Sequence, residues 1–60
     1  MQYYDHYAEM YAALNSEDRK KSREHWQKCH AENVKSGRED LTIFSAQILA
    51  RIALVDAGAL

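Results

Sequence analysis

The sequence predicts an all-α fold: a helical hairpin or open three-helix arrangement, completed by homodimerisation. Two observations predict helices and a third predicts the second copy. The chain has no proline, and its two glycines stand at Gly37 and Gly58, so nothing else interrupts a helical pattern. Apolar residues recur at spacings of three and four along most of the length. A chain of 60 residues buries only about 60% of the surface its unfolded form exposes, so it gains from a disulfide, a metal or a partner subunit. Cys29 is the single cysteine, which rules out an internal disulfide and fits a reducing, cytoplasmic setting. A second copy is then the expected complement. We read one domain over residues 1–60, with helices at roughly 3–14, 16–36 and 41–57.

The first segment, "YYDHYAEMYAAL", places Tyr3, Tyr7, Met10, Tyr11 and Leu14 on one face of an amphipathic helix. Asp5, His6, Glu9 and Tyr4 are expected to face out. Asn15 and Ser16 then offer two N-cap residues, followed by Glu17 and Asp18, which suit the positive end of a new helix. A bend is expected there, with one continuous long helix as the alternative.

The second helix runs to Ser36, and Gly37 is placed where a left-handed C-terminal cap belongs. Glu17 with Lys21, Lys20 with Glu24 and Glu24 with Lys28 are four apart, and such pairs contribute about 0.2–0.5 kcal/mol each on a solvated face. The inward side is thin: Trp26, Cys29 and Val34, edged by Ser22, His30 and Asn33. Such a helix cannot hold a core by itself.

The third helix opens on Glu39 and Asp40, with Asp40 or Thr42 as cap. Leu41, Phe44, Ile48, Ile52 and Val55 form a wide apolar stripe flanked by Leu49. Ile43 and Leu54 lie opposite with Ala50, and Ala46, Ala53 and Ala57 form a small-residue face. A helix apolar on more than one side is buried on more than one side. The other two helices cover one, and a second copy is the expected cover for the rest. The dimer interface is therefore expected at Tyr7, Tyr11, Phe44, Ile48, Leu49, Ile52 and Val55.

Several chemistries are weighed against this frame. The third helix approaches membrane-spanning length, but Gln47, Arg51 and Asp56 would be buried, and a central Arg costs about 2.5–3.5 kcal/mol. No membrane partner is expected; Arg51 instead lies at the rim with its stem on apolar surface and its head in water. The chain starts "MQYYD", without the basic start and apolar run of a signal peptide.

The formal net charge is −1, but the middle of the chain is basic between mildly acidic flanks. Within "RKKSREHWQKCH", Arg19, Lys20, Arg23, Trp26 and Lys28 are candidate contacts to nucleic acid or to another partner, with Lys35 as a further phosphate contact. Interspersed acids favour a plain solvated face, with Trp26 as a core anchor. His25, Cys29 and His30 could hold a metal only if two chains shared it, since a structural zinc needs four ligands. No metal or cofactor is expected. No phosphate loop, paired-carboxylate site or nucleophile triad is present, and short helices offer few pocket walls. The chain reads as a non-enzyme.

The organisation of the chain, with "YAEMYAAL" leading into a charged helix and "TIFSAQILARIAL" closing it, resembles the small all-helical accessory proteins from the early regions of lambda-like temperate phages. That resemblance implies a non-enzymatic protein that modulates host or phage processes by binding a partner protein. The expected function is a small interaction adaptor or regulator acting as a homodimer. The runner-up is a nucleic-acid-binding regulator using the basic helix.

Overall fold

The computed structural model describes residues 3–59, which form three helices: α1 (Tyr3–Ala12), α2 (Ser16–Lys35) and α3 (Glu39–Asp56). The ends of the single unit read from the sequence, residues 1–2 and 60, lie outside the described residues. Among the described residues there are no strands. α3 packs against both other helices, whereas the backbones of α1 and α2 approach each other little and meet through side chains. The Cα extents of 32 × 26 × 15 Å match two helix layers at ordinary interaxial spacing. α3 forms one layer and α1 with α2 the other.

Local chemistry sets the boundaries. α1 closes in a tight turn in which the Ala13 amide donates to the Glu9 and Met10 carbonyls and the Leu14 amide to Tyr11. It ends two residues earlier than its apolar pattern implies. Asn15 caps α2, its Oδ1 accepting from the Asp18 amide at 2.8 Å, so α1 and α2 are separate helices. At Gly37, φ is +69°, and the amides of Gly37 and Arg38 donate back to Val34 and Asn33. This is a Schellman closure, and Gly58 repeats it with φ +72° and bonds to Val55 and Leu54.

The start of α3 departs from expectation. Neither Asp40 nor Thr42 is the cap: Arg38 occupies that position without a side-chain bond. Because the Gly37 turn already aims the chain, Glu39 and Asp40 fall inside the first turn, where they complement the helix dipole instead.

The core is Tyr11, Ile48 and Ile52, each at most 2% exposed, with Tyr4, Tyr7, Leu14, Trp26, Phe44, Leu49 and Val55 packed around them. Tyr4, expected to face out, packs on Phe44 with ring centres 5.8 Å apart; Tyr3 also meets the Phe44 ring, at 5.6 Å, but stays 61% exposed. Met10 and Val34, both expected inside, are also exposed. α1 has only 10 residues, and Met10 falls on its outward side; Val34 lies at the end of α2, beside the turn.

Candidate interaction surface

Two polar clusters fix how the helices meet. In the first, all three contribute: the Tyr11 hydroxyl donates to Asp56 Oδ1 at 2.8 Å, and Arg23 Nη1 donates to Asp56 Oδ2 at 3.0 Å and to the Tyr11 oxygen at 3.2 Å. Burial, then the bond to the Asp56 carboxylate, push the Tyr11 hydroxyl above its ordinary pKa, against the lowering by Arg23. The bonded Tyr11 oxygen, followed by Asp56, raises the pKa of the Arg23 guanidinium. In the second, fully buried Ser45 sits between α2 and α3. Its hydroxyl lies 3.0 Å from the Leu41 carbonyl and 3.1 Å from that of Thr42, and takes a bond from Asn33 Nδ2 at 3.3 Å.

His30 Nδ1 lies 2.7 Å from the same oxygen. A hydroxyl has one proton and two lone pairs. Whichever of the two groups supplies the proton, this contact joins α2 to α3.

Arg51 also departs from the free rim residue expected of it. Its Nη1 donates to Gln47 Oε1 at 2.8 Å, its Nε lies 3.6 Å from Asp5 Oδ1, and its guanidinium stacks 5.5 Å from the Tyr4 ring centre. It ties α3 to α1.

The residues expected at a dimer interface are placed elsewhere. Tyr11, Ile48 and Ile52 are buried within one chain, and Tyr7, Phe44, Leu49 and Val55 pack on them. The physical reason is geometric: the stripe that was to face a second copy is consumed by α1 and α2, which both lie on that side of α3. What stays uncovered is the opposite face. Ile43 is 61% and Leu54 41% exposed, and Ala46, Ala50, Ala53 and Ala57 are exposed beside them. Ile43, Ala46, Ala50, Ala53 and Ala57 follow one another at spacings of three and four, a straight seam about 21 Å long. The seam carries no charged side chain.

The basic helix is likewise redistributed. Arg19 Nη1 donates to the Leu14 carbonyl at the end of α1, Arg23 belongs to the Tyr11–Asp56 cluster, and Trp26 packs against the core beside Tyr7 and Phe44. Of the five candidate contacts, only Lys20 and Lys28 are exposed and free of such ties. On the exposed surface of α2, Lys20, Lys21, Lys28 and Lys35 alternate with Glu17, Asp18, Glu24 and Glu32. The i, i+4 pairs expected among them do not close: the ion pairs among the described residues are His6–Glu9, Arg23–Asp56 and Arg51–Asp5. Exposed long side chains stay solvated when pairing returns less than the rotamer freedom it costs.

His25 Nε2 lies 3.6 Å from Cys29 Sγ, and among the described residues no three His, Cys, Asp or Glu side chains converge on a point that could hold a metal. Among the described residues no helix is long and apolar enough to cross a membrane. Among the hollows that the described residues form, two lie beside α3. One, of about 270 Å³, lies between α1 and α3 and is lined by Asp5, Ala8, Glu9, Ala12 and Val55. The other, of about 360 Å³, lies at the α2–α3 turn among Val34, Gly37, Glu39, Thr42 and Ile43.

The fold and its bare helix face define a small three-helix protein whose most distinctive surface is apolar and uncovered. Compared with protein-family models, curated proteins and solved structures, the chain matches none.

Proposed function

We propose that the chain is a small non-enzymatic interaction adaptor or regulator that acts as a homodimer, the two copies meeting along the outward face of α3. The observation that carries this reading is the uncharged seam from Ile43 to Ala57, exposed on a helix whose other side is already packed. Exposed contiguous apolar surface on a small chain marks a contact site.

The seam is self-complementary. An antiparallel pair with its two-fold axis at Ala50 sets Ile43 opposite Ala57 and Leu54 opposite Ala46, so each large side chain meets a small one. Opposed helix dipoles favour the same orientation. A parallel pair would instead set Ile43 against Ile43 and hold the alanines apart. The contact is isologous, as a two-fold dimer requires.

The charged surface supports the same choice. Net attraction to a phosphate backbone needs a positive face, and the exposed lysines of α2 alternate with an equal number of acids. In keeping with the phage-like organisation of the sequence, the target of the dimer is a host or phage protein. Sedimentation at micromolar concentration tests the reading: the wild-type chain runs as a dimer, and Ala50→Glu runs as a monomer with its helical signal intact. A wild-type chain that is fully helical and monomeric overturns it.

A further inference from the structure

We propose that the groove between α1 and α3 is a docking site for a short cationic amphipathic segment of a partner protein. One large apolar side chain of that segment occupies the floor, and a neighbouring lysine or arginine meets the rim. The inference rests on the protein-interaction reading and names the chemistry of the partner, but it does not require dimerisation.

The floor is Ala8 and Ala12 of α1 with Val55 of α3. The alanines lie one turn apart and stop at Cβ, so nothing from α1 fills the space that Val55 leaves open. That floor runs about 6 Å along α1, the footprint of one anchoring side chain, and about 270 Å³ of space stands over it.

The rim is acidic. Asp5 and Glu9 are also one turn apart, and α1 carries no arginine or lysine. The Glu9 and Asp5 side chains are 63% and 52% exposed; Arg51 Nε lies 3.6 Å from Asp5 Oδ1, and His6 Nδ1, the partner of Glu9, lies 4.0 Å from its Oε2. An apolar anchor beside two exposed carboxylates selects a basic segment and repels an acidic one. The arrangement follows the helix-in-groove mode, in which apolar anchors supply most of the affinity and flanking charges the choice of partner.

The test uses the whole chain and two synthetic amphipathic helices, one of leucine and lysine and one with glutamate replacing every lysine. The leucine–lysine helix shifts the amide resonances of Asp5, Ala8, Glu9, Ala12 and Val55, and the leucine–glutamate helix does not. Ala12→Arg fills the groove and Glu9→Lys reverses the rim; both positions are exposed, so the fold persists, and each weakens binding about tenfold or more. Equal binding of both helices, shifts centred elsewhere or full affinity in Ala12→Arg overturns the proposal. So does an absence of binding. If the groove fails while wild-type chains still sediment as dimers, the broader interaction reading stands; shifts centred on Ala46, Ala50 and Ala53 would place the contact on the outward face of α3.

Discussion

Replacing Ser45 with alanine tests the polar joint between α2 and α3. The side chain is fully buried; its hydroxyl meets His30 Nδ1, takes a bond from Asn33 Nδ2 and lies within hydrogen-bond distance of the Leu41 and Thr42 carbonyls. The substitution removes these contacts but does not strand all the partners equally. The Leu41 carbonyl keeps the Asn33 amide at 3.1 Å, and Asn33 keeps that acceptor. His30 Nδ1 loses its partner at a half-buried position. A buried polar group left without its partner costs about 1–3 kcal/mol, and partial access to water puts the expected loss at about 2 kcal/mol.

For a chain of this length, whose total stability is on the order of 3–9 kcal/mol, that is a large fraction. The melting temperature falls by about 4–8 °C for each kcal/mol. Urea unfolding followed by circular dichroism measures the change. Removing both ends, in Ser45→Ala with His30→Leu, leaves no stranded partner and costs less than the sum of the single changes. A single-variant loss below about half a kcal/mol, or strict additivity, would refute the His30–Ser45 bond as a stabilising joint.

Other substitutions have equally direct outcomes. Ile52→Asp puts an unpaired carboxylate in the core and unfolds the chain, read as loss of helical signal; Ala50→Glu, on the far side of α3, leaves it folded. Asn15→Ala removes the α2 cap and lowers the urea midpoint by the equivalent of about 1 kcal/mol. Tyr11 has a folded-state pKa raised above 10.0 by burial and the Asp56 contact. Its contribution is fully present below that pH and is lost as pH rises through the higher folded value. Stability therefore declines above about pH 10, and Tyr11→Phe flattens that decline in a pH series of melting curves.

What the sequence determined by itself is local. The absence of proline, the Asn15 cap and the two glycines specify three helices and where α2 begins and α2 and α3 end, because caps and left-handed turns involve residues adjacent in the chain. The α3 stripe of Phe44, Ile48, Ile52 and Val55 and the opposite positions of Ile43, Leu54 and Ala50 follow from helical spacing alone. Even the Ser45 joint left a trace, as a polar residue inside that apolar stripe facing the thin side of α2.

Only the tertiary structure decided which stripe serves which purpose. Helical periodicity shows that α3 has two apolar sides but not which one α1 and α2 cover. They take the broader stripe, since its large side chains bury more area than the alanines opposite, and so the residues expected to join two copies became the core of one. The same packing assigned Arg23 to Asp56, 33 positions away, and Trp26 to the core. Pairings at such separations depend on where helices cross. Crossing is set by the whole packed interface, which no local pattern contains.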